Sequence, residues 1–208
     1  MLCDPVTYSI QPPVFSAAIP GQGLLTLHYP ATDDDLLFVL ELLKKEAAQS
    51  WDVLPLLESF KTSFAFIAGS EISQVFMIRL DDLPVFEIEV HKGTKYDMQC
   101  SDFRADDGDY VILLAAGNFD QTAFSIYIRG LKLCLKYFFQ FPEVKRIIAP
   151  LYNGEDRQQR TSLFIQAGLE TLPKKTTTNE PDLFIISRPE DDLRPRRGLL
   201  FGKTLLEK

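Results

Sequence analysis

The groups in this chain whose types and spacing can move a proton or hold a charged substrate fall in two stretches. In PVFEIEVH, Glu87, Glu89 and His91 alternate with Phe86, Ile88 and Val90. A β-strand would put the three ionisable side chains on one face and the three apolar ones on the other. A carboxylate pair two residues apart can orient a water or bind a cationic amine, and His91 is the side-chain type that titrates near neutral pH. A solvated sheet face accounts for the same alternation. In the second stretch, Asp106, Asp107 and Asp109 lead into Tyr110. These carboxylates can hold a positively charged acceptor, with Asp107 and Asp109 the substrate-binding candidates, or they can simply form a polar turn. Tyr110 can donate a hydrogen bond, but a phenol with an ordinary pKa of about 10 is a poor base near neutrality. Trp51, the only tryptophan, can line an acceptor pocket or pack in a core. His28, beside Pro30, is the weaker of the two histidines as a candidate.

The elements that must position these groups are legible from periodicity. Tyr110 to Ala116 is an unbroken apolar run, the pattern of a strand buried on both faces. A turn with Gly117 and Asn118 follows, then a helical pattern from about Gln121 to Gln140, ended by Pro142, and a short apolar strand in VKRIIAP. Strand, crossover helix and strand form a βαβ unit, whose ligand crevice lies beyond the carboxyl ends of its strands. That places the crevice near Gly117 to Thr122 and near Pro150 to Gly154.

Before this unit, LLTLHY is a first strand, and Thr32 with Asp33, Asp34 and Asp35 opens a helix. Ser50 to Lys61 reads as a second short helix. SFAFIAG, SQVFMIRL and PVFEIEVH read as three successive strands joined by tight turns. After Pro150 come a helix closing on Gly168 and a last strand, DLFIISRP. Residues 1–23 read as an irregular lead-in, 24–188 as one domain, and 189–208 as a charged tail that is loosely held or docks as a short helix. The expected class is α/β (α+β), an antiparallel meander feeding a βαβαβ-like end, with helices on both faces of the sheet.

Composition excludes several functions. A hydrophobic content of 46% is ample for a core, and the net charge of −7 argues against a nucleic-acid or anionic-membrane partner. No run approaches the roughly 20 apolar residues of a membrane span. MLCDPVTYSIQPP has neither a basic lead nor an apolar stretch, so no secretory signal is expected. Cys3, Cys100 and Cys134 share no metal-ligand spacing and read as reduced thiols of a cytoplasmic protein without a metal.

Four stretches, in order, resemble the GCN5-related N-acetyltransferase (GNAT) superfamily, and within it the branch that acylates hydroxylated lysine or ornithine side chains in siderophore assembly. LPVFEIEVH is similar to that branch's "G-x-P-V-x-Y-x-E-V-Y" strand, and DDGDYVILLAAG to its "D-x-G-x-H-x-L-I-G" strand. LKLCLKYFFQFPEVKRIIAP resembles its helix, "F-x-x-P-x-V" turn and following strand. SLFIQAGL resembles its "L-x-x-x-G-F" helix end. The resemblance implies the GNAT fold, an acyl-CoA (acetyl-CoA) donor, and direct transfer to a small-molecule amine or hydroxylamine by a monomer or homodimer. It also implies that backbone groups of Leu113, Leu114 and Ala115 pair with pantetheine at a bulge. Gly117, Asn118, Gln121 and Thr122 would take the pyrophosphate at a helix N-terminus, with Asn153 nearby.

The chemical positions depart from the family pattern. The glycine-rich pyrophosphate loop is replaced by GNFDQTAFS, and the branch histidine falls on Tyr110. The aspartate after the next strand becomes Leu151, and the tyrosine that protonates the departing thiolate becomes Phe164. The expected site is therefore Tyr110 or His91 as the group that positions or deprotonates the nucleophile, with Trp51, Asp107 and Asp109 on the acceptor side. Two other functions fit the same substitutions. One is a non-catalytic binding or assembly module. The other is an acyltransferase fed by a carrier protein that docks on Arg194, Arg196 and Arg197.

Overall fold

The computed structural model describes residues 13–30, 32–46, 54–68, 70–101, 103–116, 121–152, 156–173 and 180–189. Its strands are β1 (Phe15–Ile19), β2 (Gly23–His28), β3 (Ser73–Leu80), β4 (Leu83–Lys92), β5 (Asp109–Ala116), β6 (Arg146–Leu151), β7 (Glu170–Thr171) and β8 (Asp182–Ser187). Its helices are α1 (Asp33–Glu46), α2 (Leu57–Ala68), α3 (Gln121–Phe138) and α4 (Arg157–Ala167). The strands form one sheet in the order β1-β2-β3-β4-β5-β6-β8-β7. Every neighbouring pair is antiparallel except β5 and β6, which α3 joins in parallel.

Local chemistry explains most of these boundaries. The Thr32 hydroxyl accepts from Asp35 N–H at 3.2 Å, and the Asp35 carboxylate accepts from Thr32 N–H at 3.1 Å, a reciprocal cap on α1. The other Asp35 oxygen takes Arg79 of β3, which ties the helix to the sheet. Asp81 and Asp82 both have positive φ, 47° and 68°, as a two-residue hairpin turn between β3 and β4 requires.

Two expected segments differ. The proline- and glycine-rich lead-in contains β1, because Pro20 and Gly21 make a tight turn with Gly21 at φ 73° and Gln22 N–H donating to Ile19 C=O. SFAFIAG is the end of α2 instead of a strand. Phe64 and Phe66 alternate in the sequence, but Leu57, Phe60, Phe64 and Ile67 recur at helical spacing and pack with Leu36 of α1 and Val75 of β3.

The main core lies between one sheet face and the helices α3 and α4. Phe76, Ile78, Phe86, Ile88, Val90, Ile112 and Leu114 meet Leu131, Leu135 and Phe138 of α3 and Leu163 and Phe164 of α4. On the opposite face, α2 covers β3, and α1, with Leu36 beside Val75, reaches over β4 and β5, while the segment after β4 lays Tyr96, Met98 and Phe103 over Val111, Leu113 and Ile148. The residues Glu87, Glu89 and His91 of β4 lie on this same face.

Tyr110 shares the α3 side of the sheet with Ile112 and Leu114, and it is buried in that core. His91 is the register partner of Val111, one residue on, and directly opposed residues share a face. Tyr110 and His91 therefore point to opposite faces, so the two candidate groups do not share one site. The expectation for Asp109 is corrected. Its carboxylate, 3% exposed, takes Arg146 Nε at 2.6 Å and Nη2 at 2.5 Å, and so pins the amino ends of β5 and β6 together. Asp107 is exposed in the turn before it, at the end of β5 away from the crevice.

Gly130 marks the closest approach of α3 to the sheet. A Cβ there would lie 2.5 Å from Phe86 Cε1 and 3.1 Å from Ile78 Cγ2. Alanine would raise helix propensity by about 1 kcal/mol but overpack the core by about 1–3 kcal/mol. Gly130→Ala is expected to lower stability by roughly 1 kcal/mol net, read as a lower urea midpoint at unchanged slope.

Burial, and then the negative charge of Glu143, push the Tyr110 phenol up to about 12. The unfolded chain loses this proton first, so the stabilisation is whole below about pH 10 and is lost as pH rises through 12. The slope is at most about 1.4 kcal/mol per pH unit. Urea midpoints measured from pH 9 to 11.5 should fall more steeply for the wild type than for Tyr110→Phe.

Candidate functional site

Pairing between β5 and β6 is short. Asp109, Tyr110 and Val111 face Arg146, Ile147 and Ile148, and the register ends there, although both strands continue. β4 stays with β5 to Ala116, and β8 stays with β6 to Leu151. The sheet thus opens into a wedge between the carboxyl ends of its two parallel strands, where an α/β sheet binds ligands. Leu113, Leu114 and Ala115 lie along the wedge, but not all of their backbone is open to a donor. Arg160 of α4 donates from Nη1 to Leu114 C=O at 2.5 Å and from Nε to Asp156 Oδ2 at 2.5 Å. A guanidinium from the chain itself thus satisfies the strand where β6 has left it.

The acidic strip of β4 runs beside the wedge. Glu89 is opposite Leu113, the second residue past the last β5–β6 pair, and Glu87 is opposite Ala115. His91 sits between two partners: Ser73 Oγ lies 2.8 Å from Nδ1, and Glu89 Oε2 lies 3.0 Å from Nε2. The Tyr96 ring lies over the imidazole, centroids 4.9 Å apart, held by a short 3-10 turn at Gly93–Lys95. Its hydroxyl bonds to Tyr152, the residue after β6, so the two phenols reach across the face of the wedge. Burial first, then the Tyr152 bond and the negative charges of Glu89 and Asp97, hold the Tyr96 phenol well above its ordinary pKa. Tyr96 is a hydrogen-bond donor at neutral pH, not a base.

The expected wet face of β4 is only partly wet. Glu87 is 3% exposed, between Met77 and Ala115 of the adjoining strands. Glu89 and His91 are half-buried. Glu87, Glu89 and Asp97 bring three carboxyl groups to this side of the sheet.

Of the residues singled out from sequence, His91 and the Leu113–Ala115 backbone come together at the wedge, while Tyr110, Asp107 and Asp109 do not. Gln121 and Thr122 open α3 just beyond the end of β5, so its first N–H groups lie at the mouth of the wedge. Trp51, Gly117, Asn118 and Asn153 lie outside the described residues. Phe164 is buried against Phe184 at 5.2 Å between ring centroids, away from this chemistry. Sequence reasoning missed Ser73, Tyr96, Tyr152 and Arg160. Only Arg160 carried a local signal, a cation in the early turns of a helix, where the dipole disfavours it.

Among the described residues no group of His, Cys, Asp and Glu could hold a metal, and no helix is long and apolar enough to cross a membrane. No family sequence model and no curated relative matches the chain. Solved structures do match. The aminoglycoside acetyltransferase AAC(6')-Ib, in complex with coenzyme A and kanamycin, aligns over 79% of this chain and 95% of its own at 18% identity and a TM-score of 0.61. An uncharacterized protein of Bacillus halodurans aligns over 83% and 89% at 13% identity and a TM-score of 0.64. The Campylobacter jejuni N-acetyltransferase PseH aligns over 79% and 99% at 10% identity and a TM-score of 0.54. The mixed, mostly antiparallel sheet with helices on both faces, opened between its two parallel strands, is the fold of the GNAT acetyltransferases.

Proposed function

We propose that this chain is an acyl-CoA-dependent N-acyltransferase that acylates a small amine in the cytoplasm. The observation that carries the reading is the juxtaposition of the β5–β6 wedge with Glu89 and His91, whose strand pairs with the wedge residues themselves. The donor lies in the wedge with its thioester beside Leu113 and Leu114, and the α3 N-terminus faces its pyrophosphate. The acceptor comes over the β4 strip as an ammonium ion held by Glu87 and Glu89. Glu89 takes its proton. The neutral nitrogen then attacks the thioester carbonyl, the C–S bond breaks, and the products are an amide and the CoA thiol. Tyr152, 38% exposed at the mouth of the wedge, gives its proton to the departing thiolate and regains one from the nitrogen, which loses its second proton as the amide forms.

The acceptor class follows from charge. A face carrying Glu87, Glu89 and Asp97 favours a polyamine-like or diamine substrate, and an N-hydroxylated diamine of siderophore assembly is the acceptor to try first. That an aminoglycoside acetyltransferase of this fold has been crystallised with coenzyme A and kanamycin supports the pairing of a CoA donor with a small-molecule acceptor.

Calorimetric titration with acetyl-CoA and a longer acyl-CoA should show binding in about the micromolar to millimolar range, with the nucleotide half adding affinity over a pantetheine thioester alone. No binding of any acyl-CoA would sink the proposal. Glu89→Gln, which keeps size and removes the base, should lower kcat by about 10²- to 10⁴-fold and leave donor affinity unchanged. Retained turnover in that variant would move the base elsewhere.

A further inference from the structure

Acyl transfer as proposed above assigns the proton to Glu89 and leaves open what His91 does. The imidazole is held at both nitrogens, by Ser73 Oγ at Nδ1 and by Glu89 Oε2 at Nε2. An ionised carboxylate can only accept, so Nε2 carries a hydrogen. A neutral imidazole has one N–H, so Nδ1 is its lone pair, and the Ser73 hydroxyl must donate to it. When His91 becomes charged, Nδ1–H donates instead, and the same hydroxyl rotates to accept. Serine therefore matches both charge states of the ring. Its position enforces the match, because Ser73 is the first residue of β3, buried, and the direct register partner of His91.

The consequence is chemical. The one lone pair of neutral His91 faces β3, away from the wedge, so His91 is not the group that meets the acceptor. Its Nε2–H instead fixes Glu89 through Oε2, which leaves Oε1 as the oxygen able to take the proton. We propose that Ser73 is a positioning residue. Glu89 sets the tautomer; the Ser73 hydroxyl bonds the Nδ1 lone pair and fixes the plane of the ring, and the Nε2–H so aimed holds Glu89 Oε2 and leaves Oε1 toward the wedge. The part of this inference that concerns Glu89 as base rests on the acyltransferase reading; the tautomer does not.

Long-range ¹H–¹⁵N spectra of the full chain read the tautomer directly. The chain has only two histidines, and His28→Gln assigns the signals. Neutral His91 is expected to show a protonated Nε2 and an unprotonated Nδ1. Ser73→Ala should keep that tautomer, which Glu89 sets, but shift the resonance of the unprotonated Nδ1 as it loses its donor, and Ser73→Thr, which keeps the hydroxyl, should restore it. With an acceptor in hand, Ser73→Ala should lower kcat by about tenfold, the rate equivalent of one ordinary hydrogen bond, at unchanged KM, again rescued by threonine. A wild-type His91 protonated at Nδ1, or an Nδ1 resonance that Ser73→Ala leaves unmoved, would overturn the proposal. Because the spectra need no turnover, a chain that binds no acyl-CoA refutes the acyltransferase reading and still reports separately on Ser73.

Discussion

The parting of β5 from β6 is the constraint on which the rest of the site depends, and it is fixed at both ends by arginines. At the amino ends, Arg146 clamps Asp109 with two hydrogen bonds, and Lys145 and Arg146 N–H both donate to Gly108 C=O. The strands cannot slide, so the point of separation after Val111 and Ile148 is set. At the open end Arg160 satisfies Leu114 C=O. A strand leaving its partner inside a protein exposes backbone acceptors, and an unsatisfied buried carbonyl costs about 1–3 kcal/mol. Arg160 offsets that cost with a cation that the α4 dipole disfavours, and Asp156 in turn offsets the cation. The wedge is a built feature, with a partner at the place where the ladder ends.

The two faces of the sheet divide the labour. The face under α3 and α4 is dry and close-packed, to the point that Gly130 has no room for a methyl group. The other face is covered by α1, α2 and the segment after β4, and carries polar residues on β4. A strip built only for stability would carry an apolar residue at 87, as Met77 and Ala115 do on the flanking strands. A carboxylate 3% exposed is instead the kind of local departure from packing logic that accompanies a site.

Much of the fold was legible because its signals are local. The Glu87–His91 alternation, the Tyr110–Ala116 run, the Thr32 cap and the Gly168 stop each depend on neighbours within a few residues, and β4, β5, α1 and α4 follow them. The site was less legible for a physical reason. A strand apolar on both faces gives no parity, so nothing in Tyr110–Ala116 tells which side Tyr110 takes. Register decides it, and a single residue moves a side chain across the sheet. Ser73, Tyr96 and Tyr152 were hidden because each meets the site through a partner far along the chain, or through the topology that brings β6 beside the segment after β4.

Parity and hydrogen bonding together decide which group can act as a base, and residue type alone does not. By type, the histidine and the tyrosines lead. Yet Tyr110 is in the wrong layer, and burial drives its phenol up. Tyr96 is held protonated by burial, by Tyr152 and by the charges around it. His91 is saturated from both sides, with its lone pair turned to Ser73. A carboxylate has room for more than one donor, so Glu89 can hold His91 through one oxygen and still accept through the other. In this fold the same bonds that fix the imidazole also turn its lone pair away from the wedge, and under the proposed acyl transfer the proton goes to its neighbour two residues away on the strand.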